Sequence, residues 1–341
     1  MVNLKILAGK FIYTTFILAK VLHLSKITSK ISFMNKKLVT IGLIQSKVSA
    51  NVQANLAKTE KMIKIAAKKG AQIICLQELF QTPYFPQKQK MHKDDFAESV
   101  NGPTVSLMKK LAKDLAVVLI VPFYEERKGK YFNTAIIIGA DGKPMGRYDK
   151  IHIPQDPGFY EKDYFEQGQE GYKIFKTKFG TFAVLICFDQ WFPEAAREAR
   201  LAGAEIIFYP TAIGNIIGYK PEGNWHDAWE TSMRGHAIAN SVHVAAINRV
   251  GIENKVKFFG QSFVSDPFGK ILKRASENNE EVLVQKIDLE KNKFFADGWG
   301  FLRYRRPDSY KNITSEKFIT KSKKLKNVAH YQDEKRALGQ K

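Results

Sequence analysis

From Leu38 onward, short runs of β-branched and other apolar residues alternate with segments whose apolar side chains recur every three or four positions. This alternation constrains the chain most: strands buried on both faces read as continuous apolar runs and need helices to cover them. Residues 39–44 form the first such run. Behind them Val52, Leu56, Ile63 and Ala66/Ala67 fall on one face of a helix that Gly70 stops. Residues 71–76 read as a strand, Leu107, Leu111 and Leu115 as a helix, and residues 117–124 as the next strand. Residues 132–138, the Asp141-Gly142 turn and residues 146–150 read as a hairpin. A strand at 181–186 leads to Cys187, and Pro193 opens a helix that Gly203 ends. Residues 206–209 then precede a Trp225/Trp229/Met233 helix, and residues 243–248, 260–264 and 282–287 supply further strands. No internal repeat or linker interrupts residues 38–290, so the pattern predicts one α/β domain there, with a mixed sheet covered by helices.

Three reactive side chains stand just beyond predicted strands: Glu78, Lys150 and Cys187. In α/β sheets the carboxyl ends of strands are where ligands bind, so a charge there faces a crevice. Taken singly, each has an ordinary explanation. Glu78 suits a helix cap or a surface, Lys150 a solvated hairpin, and Cys187 the role of a small buried hydrophobe. The setting of Cys187 argues for more. A strand, a turn and a helix opened by Pro193 would put the sulfur near a helix amino terminus, where the dipole and a nearby ammonium lower a thiol pKa. The Phe188 N–H would then point at an oxyanion formed by attack of the sulfur.

Composition narrows the alternatives. The chain is 44% hydrophobic and 12% aromatic, enough to bury a full core. Two cysteines, Cys75 and Cys187, are too few for a disulfide framework and predict a reducing, cytoplasmic setting, with Cys75 in the core. The net charge of +20 invites a nucleic-acid reading. Half of that excess sits at the ends: residues 1–33 hold five lysines and no acid, and residues 312–341 hold eight basic and three acidic residues. No arginine block interleaved with aromatics is present, so a lysine-rich solvated surface is expected and nucleic acid is not. Within residues 1–33 the apolar stretch is too short and interrupted to span a bilayer, and no membrane partner is expected. That segment reads either as a signal or transit sequence or as an extension ahead of a start at Met34. Residues 291–341 read as a carboxy-terminal arm and basic tail.

Three segments then carry a resemblance. Leu76-Gln77-Glu78-Leu79-Phe80, Tyr148-Asp149-Lys150-Ile151-His152-Ile153-Pro154 and Cys187-Phe188-Asp189-Gln190-Trp191-Phe192-Pro193-Glu194-Ala195-Ala196-Arg197 resemble, in order and spacing, the signatures of the nitrilase superfamily of carbon–nitrogen hydrolases. The resemblance covers residues 38–310 and implies a four-layer αββα sandwich with a Glu78–Lys150–Cys187 catalytic set. Glu161, within Tyr160-Glu161-Lys162-Asp163-Tyr164-Phe165, matches a supporting second glutamate. It also implies no metal or organic cofactor, a small ureido or amide substrate, and a homodimer or larger homo-oligomer in which Trp299, Phe301 and Tyr304 are candidate anchors.

Within the superfamily, Phe159-Tyr160-Glu161-Lys162, Tyr209-Pro210-Thr211-Ala212-Ile213-Gly214 and Arg305-Arg306-Pro307-Asp308 are similar to the branch acting on N-carbamoylputrescine. Relatives that hold a substrate carboxylate tend to carry arginine just after the nucleophile, whereas this chain has Asp189, Gln190 and Trp191. Trp191 and Tyr84 are candidates to line an aliphatic or cationic substrate chain, with ordinary core packing as the alternative for Trp191. Where many such amidases have a glutamate suited to a substrate amine, this chain has Ile216; Glu222, Asp227 and Glu230 are the alternative acids.

Overall fold

The computed structural model describes residues 36–89, 96–219, 223–315 and 335–336. The chain separates into compact units at residues 1–37 and 38–341, and the fold below is that of the second. Residues 1–33, the alternative start at Met34 and most of the basic tail lie outside the described residues.

The first half builds one six-stranded sheet. Its strands are β1 (Leu38–Gln45), β2 (Ile73–Leu76), β3 (Val118–Arg127), β4 (Lys130–Ile138) and β5 (Pro144–Asp149), joined by β15 (Glu281–Asp288) from the end of the chain. The order is β15-β1-β2-β3-β4-β5. Strands β1, β2 and β3 are parallel, and β15, β4 and β5 pair antiparallel. Strands β2 and β5 therefore run in the same direction and end on the same edge. Helices α1 (Val52–Lys68) and α2 (Pro103–Leu115) cover one face. There Leu56, Ile63, Val105, Met108 and Leu111 pack on Ile44, Ile74, Leu119 and Val121. Gly42 marks the close approach: a Cβ there would lie 3.0 Å from Ala71 Cβ and 3.3 Å from Ala66 Cβ.

The second half repeats the plan. Strands β6 (Ile174–Thr177), β7 (Gly180–Val184), β8 (Ile206–Pro210), β10 (His243–Ile247), β13 (Phe263–Ser265) and β14 (Ile271–Arg274) form a sheet in the order β14-β13-β10-β8-β7-β6. Helices α3 (Pro193–Leu201) and α4 (Trp225–Asn240) cover its outer face. Because side chains alternate along a strand, Val39, Ile41 and Leu43 of β1 turn away from α1 and join one core with Phe182, Val184, Phe208 and Val244 of the second sheet. The layers are helix, sheet, sheet, helix: the αββα sandwich expected from the resemblance. A three-stranded sheet of β9 (Gly214–Ile216), β11 (Val250–Glu253) and β12 (Val256–Phe259) is added, as is helix α5 (Glu290–Trp299). No helix among the described residues is long and apolar enough to cross a membrane.

Candidate active site

Each reactive side chain stands just past the end of a strand. Glu78 follows β2, and the next residue, Leu79, has φ 48°, a left-handed conformation that costs a leucine free energy. Arg249 holds that turn: fully buried, it donates through Nη2 to the carbonyls of Glu78 (2.8 Å) and Leu79 (2.9 Å), and through Nη1 to Glu253 (2.7 Å). Lys150 follows β5 directly, its amide fixed to the Asn133 carbonyl of β4 at 2.9 Å. Cys187 stands three residues past β7 with φ 44°, at the head of a 3₁₀ turn over Cys187–Trp191.

Glu78, Lys150 and Glu161 meet in a dry cluster, all 0% exposed. Lys150 Nζ donates to Glu78 Oε1 at 2.9 Å and to Glu161 Oε2 at 2.6 Å. Asn133 Nδ2 also donates to Glu78 Oε1, at 2.7 Å, and the Tyr84 hydroxyl donates to Glu161 Oε1 at 2.7 Å. The other Glu78 oxygen, Oε2, is buried with no hydrogen-bond partner among the described residues. One carboxylate oxygen is thus fixed and the other is left to take a proton.

Burial is the largest influence on each titration here, and the neighbouring charges modify it. Burial alone would lower the Lys150 pKa, but Glu161 and Glu78 outweigh it and the ammonium is held well above its usual range. Burial raises the Glu161 carboxyl to about 7, with Lys150 opposing and Glu78 reinforcing the rise. Burial also pushes the Cys187 thiol well up, and Glu78 adds to this more than Lys150 relieves it. Here the structure corrects the sequence expectation of a lowered thiol pKa. The helix opened by Pro193 begins six residues later, and the nearby ammonium is already hydrogen-bonded to Glu78 and Glu161. A thiol pushed up by burial in this way needs a base before it can attack.

Cys187, Phe188, Trp191 and Glu161 line one cavity of about 430 Å³, together with Phe159, Ile213, Trp225 and Asp156. Trp191 does both things weighed from sequence, packing partly against the core and facing the cavity. Tyr84 does not reach the cavity wall; it is 1% exposed and stands behind Glu161. Among the acids considered for a substrate amine, Glu222 lies outside the described residues and Asp227 is exposed. Glu230 is buried and already paired with Arg274 and Arg234. Cys75 is fully buried in β2, as expected. Among the described residues no group of His, Cys, Asp and Glu is suited to hold a metal ion.

Sequence reasoning missed Asn133, Arg249 and Asp156. The signal for Arg249 was present: Asn248-Arg249 ends an apolar strand just as Gln77-Glu78 does. Asn133 is a polar residue inside an apolar strand run, and Asp156 follows the Lys150 signature by two residues.

The carbon–nitrogen hydrolase family model matches residues 40–295. The chain is 44% identical over 287 residues to an N-carbamoylputrescine amidase of Solanum lycopersicum, covering 81% of this chain and 94% of that one. It is 39% identical over 283 residues to a citrullinase of Francisella tularensis, covering 81% and 98%. Its fold superposes on a carbon–nitrogen hydrolase of Helicobacter pylori G27 with a TM-score of 0.79, at 38% identity over 82% of this chain and 99% of that one. With the family's fold, three signatures and a family match over most of the second unit in hand, the chain belongs to the carbon–nitrogen hydrolase family.

Proposed function

We propose that the chain hydrolyses N-carbamoylputrescine to putrescine, ammonia and carbon dioxide. The observation that carries the reading is the split role of Glu78: one oxygen is tied to Lys150 and Asn133, the other has no hydrogen-bond partner among the described residues, and its charge is felt by the buried Cys187 thiol. Glu78 Oε2 takes the Cys187 proton as the sulfur attacks the ureido carbonyl. Lys150 and the Phe188 N–H stabilise the tetrahedral oxyanion. On collapse, Glu78 gives its proton to the departing amine, releasing putrescine and leaving a carbamoyl thioester on Cys187. Glu78 next deprotonates a water that attacks the thioester; carbamic acid leaves, the sulfur recovers a proton, and the acid breaks down to ammonia and carbon dioxide. Glu161 keeps Lys150 charged and oriented. The enzyme would then serve putrescine formation from agmatine in a reducing cytoplasm, as a homo-oligomer.

The substrate has an apolar four-carbon chain and an ammonium tail. Trp191, Phe159 and Trp225 suit the chain. Asp156 lines the same cavity as Phe159 and Trp191 and brings a carboxylate to it, so we assign the tail to Asp156. The likeness to a citrullinase supports a second reading, since L-citrulline also carries a ureido head, with an amino-acid tail. A carboxylate in that tail would face Asp156 at a cost. The test compares kcat/KM for N-carbamoylputrescine, L-citrulline and N-carbamoyl-β-alanine with the purified protein. N-carbamoylputrescine should lead by at least about tenfold, the value of roughly 1.4 kcal/mol of tail discrimination. A preference for either carboxylate-bearing compound would overturn the assignment.

A further inference from the structure

Asp189 sits two residues beyond Cys187 and is fully buried. Its Oδ2 accepts from the Ile186 amide at 2.9 Å and from the Tyr148 hydroxyl at 2.8 Å. Its Oδ1 accepts from the His152 amide at 3.0 Å and lies 2.7 Å from His152 Nδ1. Ile186 immediately precedes Cys187, while Tyr148 and His152 flank Lys150 two residues to either side. One carboxylate therefore ties the nucleophile's turn, which belongs to the second sheet, to the lysine's loop, which belongs to the first. The His152 ring is further pinned by stacking on Phe192 at 3.6 Å and 7°.

The chemistry of these four contacts suits a carboxylate side chain. Two are backbone N–H groups in the interior, which need acceptors, and only a carboxylate offers acceptors on both oxygens. An asparagine of the same shape would turn an N–H₂ toward one of those amides, donor against donor. Cys187 also holds a left-handed φ of 44° that its surroundings must enforce, and the bond to the Ile186 amide anchors the chain one residue before it.

We propose that Asp189 is a positioning residue that sets the placement of Cys187 relative to Lys150 and Glu78, so that attack and oxyanion capture occur in one geometry. The proposal rests on the Cys187–Lys150–Glu78 reading above. It predicts an effect on the chemical step with substrate affinity spared, since the substrate chain and tail meet other residues.

The experiment uses the full-length chain, with kcat and KM for N-carbamoylputrescine and the rate of Cys187 alkylation by iodoacetamide as readouts. Wild type, Cys187→Ser, Asp189→Asn and Tyr148→Phe are compared well below their unfolding temperatures, with circular dichroism checking the fold. Asp189→Asn should lose kcat by on the order of 100-fold, as sub-ångström to ångström misplacement does, with KM within about threefold. Its alkylation rate should change as well. Tyr148→Phe removes one of the four bonds and should lose roughly fivefold in kcat with KM unchanged. A folded Asp189→Asn with wild-type kcat would overturn the proposal. If Asp189→Asn fails to fold, Tyr148→Phe decides, and a wild-type kcat there overturns it equally. Full activity in Cys187→Ser would instead bring down the catalytic reading on which the proposal rests.

Discussion

At the scale of single residues, the two cysteines separate chemistry from packing. Cys187 lines the cavity beside Glu161, whereas Cys75 is sealed within the first sheet. Cys187→Ser should abolish turnover, because a serine hydroxyl is far less acidic than even a thiol whose pKa is raised. Cys75→Ser should keep turnover and lose about 1–3 kcal/mol of stability from a buried hydroxyl, measured by urea unfolding. Glu78→Gln preserves shape but cannot take a proton, so kcat should fall by roughly 10²–10⁴-fold with the fold intact. A Glu78→Gln variant changed only in KM would make Glu78 a binding residue. Glu78, Lys150 and Cys187 were legible in the sequence because each follows a recognisable strand. Their bonding partners were not. Asn133 reaches Glu78 across 55 positions of chain, Tyr84 reaches Glu161 across 77 and Tyr148 reaches Asp189 across 41, and only the fold determines which polar groups meet.

At the scale of elements, the sequence pattern found the strands with apolar, β-branched runs and missed β6, β9, β11, β12 and β14, which are three or four residues long. Such short strands offer too few positions for a period-two signal. In α2 the pattern marked Leu107, Leu111 and Leu115, yet the fully buried face is Val105, Met108, Leu111 and Ala112, rotated from the leucine line. Helix α5 was missed altogether; Asn292 and Gly298 interrupt its apolar residues. Its attachment yields a pH prediction. His243, the first residue of β10 and fully buried, bonds through Nδ1 to Asn292 Oδ1 at 2.8 Å, while Asn292 Nδ2 donates to the Glu205 carbonyl at 2.7 Å. His243 Nε2 is buried with no hydrogen-bond partner among the described residues, so protonation there places a charged N–H against no acceptor. Burial accordingly lowers the His243 pKa to about 4, with the Asn292 bond opposing. Because the folded value lies below the ordinary 6.5, its contribution is fully present above pH 6.5 and is lost as pH falls toward about 4. The loss should approach about 3 kcal/mol. His226 and His236, also lowered by burial, act in the same sense. Urea midpoints at pH 7.5 and 5 should fall steeply for wild type and less so for His243→Gln. Parallel slopes would remove His243 as the acid-sensitive contact.

At the scale of the whole molecule, the surface left by the sandwich argues for self-association. Trp299 is 56% exposed and Tyr304 71%, and Phe268 and Phe294 are exposed as well. They are not scattered: Trp299 stacks on Phe268 at 5.5 Å and on Phe301 at 5.7 Å, and Phe268 stacks on Phe295 at 4.9 Å. Singly exposed aromatics are ordinary on a monomer, but a connected stack is the kind of patch that another surface covers. It joins α5 and the arm that follows to Phe268, in the turn between β13 and β14, and none of its residues lines the cavity at Cys187. A second copy of the chain is the partner the resemblance implies, and a stable contact of this kind buries on the order of 1,200–2,000 Å² in total. Sedimentation velocity at micromolar concentration should therefore show a dimer or a larger species. Replacing Trp299 and Tyr304 together by alanine should shift it toward monomer, since large aromatic anchors carry a disproportionate share of interface energy. Loss of the larger species on substitution, with kcat retained per chain, would make the contact architectural. Loss of kcat in step with dissociation would mean that the assembly supports the active site. A wild-type protein that sediments as a monomer while fully active would dismiss the interface and leave the Glu78–Lys150–Cys187 chemistry to stand on one chain.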